Sequence, residues 1–332
     1  MKEPLLRPLH IGNLNLRNRL IVAPMQQYQG TPEAYANDYH VNHYSRLARD
    51  AGLLIIESTG ISADGRLFPN DIGIYSDAHT EPLRRIVDAV HAQGTPIFIQ
   101  LTHGGRKSWR AAVNRMLAPS PLAYDDQYGV PEQMNSDDIE RELENYRRAA
   151  RRSIQAGFDG IEVHAAHGHL VHQFLSPLSN VRTDSYGGTL NNRVRFLNHV
   201  LDAVRSETGS GYPVIVRFSA SDYVTGGLTP SEIGTIVSLL DAQIDAVDIS
   251  SGGLLPLNPD ASHDGYQVPY ASIIKHLVNI PVIAVGNIHT RSQAAFILSE
   301  GLADFVAVGR PLLQDPDFIR STFLTKQPTT CG

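Results

Sequence analysis

Eight short apolar runs, spread along the 332-residue sequence, constrain its fold more than any other feature. Each is continuously apolar and does not alternate with polar residues, a pattern typical of strands buried on both faces of a parallel sheet. The runs are RLIVAP (19–24), LLIIES (53–58), PIFIQL (96–101), GIEVHA (160–165), VIVRFS (214–219), AVDISS (246–251), PVIAVG (281–286) and FVAVG (305–309).

Amphipathic helical patterns separate these runs. Residues 80–94 place apolar side chains on one helical face, with Thr80 predicted as the N-cap. Residues 229–240 and 290–298 begin with Thr229 and Thr290, each followed three residues later by Glu or Gln, as in a capping box. Eight strands alternating with helices predict an α/β fold, a (β/α)₈ TIM barrel forming a single domain over 1–332. A doubly wound sheet is the alternative, but no G-x-G-x-x-G follows any of the strands.

Composition narrows the class of protein. The net charge is −6 and no basic cluster occurs, so we expect no nucleic acid partner. Cys331 is the single cysteine, which excludes an intrachain disulfide framework. No run reaches the length of a membrane span, and the amino-terminal MKEPLLRPLH lacks a signal-peptide core. We therefore expect a cytoplasmic protein that makes no membrane contact.

The stretch HAAHGHL (164–170) follows the fourth predicted strand and holds three histidines within six residues. Active sites of TIM barrels lie at the carboxyl ends of the strands, so these side chains are predicted to face the site. Histidines there can serve as metal ligands, as acid–base groups or as donors to a developing oxyanion. Residue types alone leave these three alternatives open.

Other strand ends carry groups suited to an anionic, planar ligand. Gly286 and Gly309 follow the last two strands, where barrels often bind phosphate, and Arg310 can pair with such an anion. Gln100 and Arg217 lie further inside, on the third and fifth strands. A buried arginine is rare without a partner, and a heterocycle that becomes anionic would supply one.

Several segments together resemble one family. They are RLIVAPM, IQLTHGGRK, VRFSASDY, VAVGRPLLQDP and the long stretch 157–196, GFDGIEVHAAHGHLVHQFLSPLSNVRTDSYGGTLNNRVRF. Over about residues 5–318 the chain is similar to the old yellow enzyme family, in particular to its bacterial branch of FMN-dependent ene-reductases. The resemblance implies bound FMN, NADPH or NADH as hydride donor, and a ping-pong reduction of alkenes conjugated to a carbonyl or nitro group. It also implies small-molecule substrates and a homo-oligomer, a dimer or a tetramer.

The resemblance assigns roles residue by residue. His164, His167 and Tyr28 match substrate-pocket positions, and the two histidines would donate hydrogen bonds to the substrate oxygen. Gln100 and Arg217 match residues that bind the flavin ring, and Gly286, Gly309 and Arg310 match the phosphate site. The contacts beneath and around the ring match Ala23, Pro24, Met25, Gln26 and Gly60.

Two positions depart from the family pattern. His169 stands where the family has the tyrosine that protonates the substrate, and Gln26 stands where it usually has cysteine or threonine. We expect His169 to act as an imidazolium with a pKa near 6.5, so that alkene reduction falls as pH rises through that value. The alternatives to an ene-reductase are a metal-dependent barrel hydrolase and a flavin-binding barrel without efficient turnover.

Overall fold

Eight parallel strands close into a barrel in the computed structural model, which describes residues 3–240, 243–257 and 263–325. The fold is thus the single-domain (β/α)₈ TIM barrel that the sequence predicts. The strands are β1 (Leu9–Ile11), β2 (Leu14–Leu16), β3 (Leu20–Val22), β4 (Leu53–Gly60), β5 (Ile97–Thr102), β6 (Leu117–Ala118), β7 (Glu132–Gln133), β8 (Gly160–Ala165), β9 (Val214–Ser219), β10 (Ala246–Ser250), β11 (Val282–Ala284) and β12 (Phe305–Val308). The helices are α1 (Asp38–Ala48), α2 (Thr80–His91), α3 (Ser136–Ala156), α4 (Leu170–Leu175), α5 (Leu190–Thr208), α6 (Pro230–Leu240), α7 (Val268–Lys275), α8 (Arg291–Ser299) and α9 (Pro311–Gln314). Cys331 lies outside the described residues.

The barrel closes in the order β3-β4-β5-β8-β9-β10-β11-β12 and back to β3, with parallel pairing throughout. The remaining strands form two short accessory pairs. β1 and β2 make an antiparallel hairpin, and Ile11 and Leu16 of this hairpin are fully buried against residues of the barrel interior. Because its side chains pack there, the hairpin closes the amino-terminal end of the barrel.

Two apolar layers result from the alternation of side chains along each strand. One set, which includes Ile21, Phe98 and Phe305, packs together inside the barrel. The other set belongs to the layer between the strands and the helices. Gly160 belongs to the interior, where a Cβ would overlap the ring of Phe98, so this glycine leaves the space that the ring occupies. Both faces of each strand are therefore buried, which is why the runs read as continuously apolar.

Two of the three helix N-caps predicted from the sequence are confirmed by the structure. Thr290 caps α8 by accepting a hydrogen bond from the Gln293 amide (3.2 Å), and Thr229 accepts one from the Glu232 amide (3.3 Å). Thr80 is not an N-cap: it is the first residue of α2, after a 3₁₀ turn at Asp77–His79. Ser76 caps that turn instead, because the chain begins to wind one turn earlier than the apolar period indicates. In the described residues no helix is long and apolar enough to cross a membrane.

Candidate active site at the carboxyl end of the barrel

Two adjoining cavities open at the carboxyl ends of the strands. The glycine cavity (about 660 Å³) is lined by Ala23, Pro24, Met25, Arg217, Ser250, Tyr266, Gln267, Val285, Gly286, Asn287, Ile288, His289, Ala307, Val308, Gly309, Arg310 and Pro311. The histidine cavity (about 860 Å³) is lined by Pro24, Gln26, Tyr28, Ser58, Leu67, Phe68, Gln100, Lys107, Tyr128, His164, His167, His169 and Arg217. Pro24 and Arg217 line both cavities, which therefore adjoin, and the two together are called the trough.

Almost all site residues predicted from the sequence border this trough. Gly60 is the exception, since it lines neither cavity. It lies at the end of β4, where its amide donates to the Ile72 carbonyl at 3.0 Å. The flavin contact of Gly60 stays a prediction.

The loop that carries His167 and His169 is held in an unusual backbone conformation. His167 has a φ of 57° and Gly168 a φ of 75°, so two successive residues are left-handed. A Cβ at Gly168 would overlap the carbonyl oxygen of Gly253, which explains why glycine occupies this position. Left-handed conformation in a residue other than glycine costs free energy and persists only where neighbours enforce it.

A fourth histidine, His172, enforces this conformation. Its Nδ1 accepts a hydrogen bond from the Gly168 amide (2.9 Å), so its Nε2 carries the proton and faces Asp222 Oδ1 at 3.0 Å. Asp222 also accepts from Ser176 Oγ and the Leu228 amide. The interaction with His172, followed by these two hydrogen bonds, holds the pKa of this carboxyl below its usual value despite its burial. His172 and Asp222 were not predicted from the sequence, although the spacing of four in HGHLVH places His172 one helical turn after Gly168.

Hydrogen bonds fix the tautomers of the two histidines assigned to the substrate oxygen. His164 Nδ1 accepts from the Ala166 amide (3.3 Å), so its Nε2 is the protonated nitrogen and faces His167 Nδ1 at 3.4 Å. His167 Nε2 then carries a proton and donates to Ser250 Oγ at 2.7 Å. The His164 bond is long and therefore weak, which leaves that N–H available to a ligand oxygen.

All three histidines of HAAHGHL are neutral at physiological pH. Burial, together with the positive charges of their neighbours, lowers the pKa of His164, His167 and His169 well below 6.5. Lys107 is the largest charge contribution at His169. The expectation that His169 is an imidazolium near neutral pH is therefore wrong, because a solvated histidine was assumed where the fold buries it beside a cation.

A buried polar layer lies beneath the histidine cavity. Gln100 accepts from Ser58 Oγ (2.6 Å) and donates to Glu162 Oε1 (2.7 Å). Arg217 Nε lies 3.0 Å from Asp248 Oδ2 in a buried ion pair. Burial raises the pKa values of both Glu162 and Asp248; the charge of Asp248 raises that of Glu162 further, whereas Arg217 and then Glu162 oppose the rise at Asp248. We conclude that Glu162 keeps its proton at neutral pH, and that Asp248 balances the charge of Arg217.

Two buried carboxyls anchor the loop that contains Gln26 and Tyr28. Glu57 accepts from the Gln27 amide (3.0 Å) and from Tyr44 Oη (2.9 Å), and burial raises its pKa to about 8. Asp71 accepts from Gln26 Nε2 at 2.6 Å. The amide of Gln26 is thus turned so that Asp71 holds its nitrogen, while Tyr28 has a left-handed φ of 56°.

The glycine cavity offers groups suited to an anion. Gly286 has a φ of 113°, a conformation that favours glycine, and the Arg310 guanidinium donates to Asn287 Oδ1 at 2.5 Å. A Cβ at Gly309 would lie 3.3 Å from the Met25 sulfur, so a side chain there would crowd the cavity wall. Main-chain amides and a guanidinium at such a place are the groups by which barrels bind phosphate. The described residues contain no group of three His, Cys, Asp or Glu side chains placed to hold a metal ion.

Comparison with known proteins places the chain among flavin enzymes. Residues 4–323 match the model of the NADH:flavin oxidoreductase / NADH oxidase family. NADPH dehydrogenase of Clostridium acetobutylicum is 42% identical over 94% of this chain and 92% of its own. NADPH dehydrogenase of Bacillus subtilis is 39% identical over 97% and 94%, respectively.

Two solved structures of reductases superpose on nearly the whole chain. Morphinone reductase in complex with tetrahydroNAD superposes with a TM-score of 0.81 and 29% identity, over 98% of this chain and 93% of that one. A 2-naphthoyl-CoA reductase complex superposes with a TM-score of 0.90 and 26% identity over 97% of this chain. The present chain spans 52% of the length of that reductase.

Proposed function

We propose that this chain, which belongs to the NADH:flavin oxidoreductase / NADH oxidase family, reduces the carbon–carbon double bond of alkenes conjugated to a carbonyl or nitro group. It is an NAD(P)H-dependent enzyme with FMN as its cofactor. The observation that carries this proposal is the histidine cavity, in which His164 and His167 lie next to the polar layer of Gln100 and Arg217. Ene reduction requires this combination of a flavin site and oxygen-binding donors.

The residues present fit FMN. The trough has a polar end at Gly286, Gly309 and Arg310, suited to the phosphate. Arg217 and Gln100 supply a cation and an amide at the other end, suited to the heterocycle. A Cβ at Gly309 would approach Met25, so the glycine keeps this wall open. We propose that Ala23, Pro24, Met25 and Gln26 line the remaining surface of the ring.

When bound, FMN supplies the hydride chemistry, accepting a hydride from NAD(P)H in one half-reaction and delivering it to the β-carbon of the alkene in the other. His164 and His167 are proposed to bind the substrate oxygen as neutral N–H donors. Two such donors polarise the alkene and stabilise the negative charge that develops on that oxygen. For His167 this requires that its Nε2 exchanges Ser250 for the substrate.

The proton for the α-carbon requires a group that is protonated at neutral pH. The sequence predicts His169 as the proton donor. A neutral imidazole N–H is a poor acid, however, and the lowered pKa of His169 disfavours its cationic form. Tyr28 lines the same cavity, and burial followed by the charges of Asp71 and Glu57 raises the pKa of its phenol, which therefore stays protonated. We propose Tyr28 as the donor and His169 as a wall of the cavity.

The test separates the two half-reactions. Heat-released cofactor is identified by mass spectrometry, and the holoenzyme is then bleached anaerobically with NADPH or NADH. Addition of 2-cyclohexenone should restore the flavin absorbance and yield cyclohexanone. Bleaching without reoxidation by enones or nitroalkenes contradicts ene reduction and favours a flavin-binding barrel without efficient turnover.

A homo-oligomer, a dimer or a tetramer, is also proposed. Leu239 on α6, Ile273 on α7 and Leu277, two residues after α7, are exposed apolar side chains, and α6 and α7 pack together. We propose that they belong to one contact surface between subunits, since contiguous exposed apolar patches mark such surfaces. Sedimentation velocity of the wild type and of Leu277→Glu measures whether this surface joins subunits.

A further inference from the structure

Lys107 places an ammonium group at the wall of the histidine cavity. It ends the short 3₁₀ turn Gly105–Lys107 that follows β5. Its Nζ donates to the carbonyl oxygens of His167 and Gly253, both at 2.9 Å, and lies 4.5 Å from the centroid of the Tyr124 ring. Three uncharged partners therefore hold the ammonium in one position.

No carboxylate neutralises this cation within the described ranges 3–240, 243–257 and 263–325. None of the ion pairs found there includes Lys107, and Asp125, the acid that acts on it from a distance, bonds through Oδ1 to the amides of Gln127 and Tyr128. Arg106 adds a second positive charge, and its guanidinium donates to main-chain carbonyls such as that of Leu254 (2.7 Å). Arg217 differs, because Asp248 pairs with it.

The other titratable groups around the cavity do not supply the missing negative charge. His164, His167 and His169 are neutral, and the phenols of Tyr28, Tyr124 and Tyr128 have raised pKa values and stay protonated. Burial, followed by the charge of Arg106, lowers the pKa of Lys107 to about 8. At neutral pH the lysine is still mainly charged, so the described part of the cavity wall carries a net positive charge.

We propose that Lys107 forms an anion subsite, and that the alkenes this enzyme reduces carry a carboxylate that binds beside the histidines. This inference rests on the proposed function and names its substrate class. A partly buried cation without a counter-ion among the described residues has lost part of its hydration, and a bound carboxylate restores the lost interaction. The two main-chain carbonyls hold the ammonium in place before the substrate arrives, so little conformational freedom is lost on binding.

Aromatic rings continue the wall away from the lysine. Tyr28 contacts Phe68 (centroids 5.1 Å apart), and Trp109 contacts Tyr128 (5.3 Å). Phe68 and Trp109 lie 6.4 Å apart, which joins the two pairs. These rings suit a flat, conjugated substrate body. We therefore choose 4-carboxycinnamaldehyde as the anionic probe and its methyl ester as the neutral one.

The experiment measures dissociation constants on oxidised, FMN-loaded enzyme from the change in flavin absorbance, without a nicotinamide. Wild type should bind the carboxylate about tenfold more tightly than the ester, the increment of a hydrogen bond between charged groups. Lys107→Met should remove this preference. Lys275→Met is the matched control, since Lys275 pairs with Asp304 and lies outside both cavities. A preference that persists in Lys107→Met, or its absence in wild type, overturns the proposal.

Wild-type measurements at different pH values and salt concentrations provide a second test. If Lys107→Met fails to fold or to retain FMN, the preference of wild type must fall as pH rises above about 8, where Lys107 loses its proton, and must fall with added salt. A preference that is constant across both series contradicts the subsite. Binding to oxidised enzyme needs no turnover, so failure of the ene-reductase proposal is recognised separately, as the absence of reduction of the methyl ester by reduced wild type.

Discussion

One end of the barrel interior is apolar and the other is polar and charged, although the same strands form both. On β5, Phe98 lies in the apolar interior and Gln100, two residues further, lies in the polar layer. On β9, Ile215 and Arg217 repeat this pattern. One step of two residues along a strand thus separates a dry apolar core from a charged layer.

The difference shows which end of the barrel contains features that lower the stability of the folded state. The apolar end buries its side chains completely. The polar end keeps buried atoms without hydrogen-bond partners in the described structure, among them Glu162 Oε2 and His169 Nδ1. It also contains the left-handed residues Tyr28 and His167. Such features destabilise a protein and are retained where binding or catalysis uses them. The predictions below test this contrast.

Truncation at the apolar end should have the largest effect. We expect Phe98→Ala to lower the free energy of unfolding by about 3–5 kcal/mol, because it leaves a cavity beside Gly160 in a closely packed interior. Denaturant titration of variant and wild type measures this difference. Phe98→Leu, which keeps most of the volume, should lose clearly less. Equal losses in the two variants would show that packing at this end does not dominate stability.

Glu57 at the site end should make stability depend on pH. Burial raises the pKa of this carboxyl from 4.5 to about 8, so the folded state binds the proton more tightly than the unfolded state. Its contribution is therefore fully favourable below about 4.5 and is lost as pH rises through about 8, by at most about 1.4 kcal/mol per pH unit. Glu57→Gln should flatten this decline, measured as unfolding free energy between pH 5 and 9. Parallel curves for variant and wild type would contradict the shifted pKa.

The substrate histidines should affect function and leave stability nearly unchanged. His164→Ala and His167→Ala are each expected to weaken binding of a phenolic ligand and to slow alkene reduction, by roughly tenfold or more. FMN content and the unfolding midpoint should stay close to those of wild type. Native rates of enone reduction in either variant would remove that histidine from the proposed oxygen site.

His169 should have the smallest effect. Because its imidazole is neutral, we expect His169→Phe to change the rate of flavin reoxidation by an enone only modestly, and neither protein to show an inflection near pH 6.5. Tyr28→Phe is the companion variant and should slow this half-reaction more. Stopped-flow absorbance at several pH values separates the two. A marked inflection near pH 6.5 that disappears in His169→Phe would restore the histidine as the proton donor.

Local patterns were sufficient to predict the barrel and most of the trough. The eight apolar runs correspond to the eight barrel strands. Gly286, Gly309 and the histidines follow the carboxyl ends of these strands, and they therefore lie at the same end of the barrel. The resemblance supplied the roles of these residues. His172 and Asp222 were missed because their pairing joins positions 50 residues apart in the sequence, across α4 and the loop after β9.

The order of residues is enough to predict the fold, because continuous apolarity and helix periodicity are local properties that indicate which faces must be buried. It also indicates which side chains stand at the strand ends. Their protonation states and partners follow from the three-dimensional arrangement instead. The pKa of His169 depends on burial and on Lys107, which lies 62 positions earlier in the sequence, and the raised pKa of Glu162 depends on burial and on Asp248, which lies on another strand of the closed barrel. Desolvation and Coulomb energies depend on distances in space, which no local pattern of residues encodes.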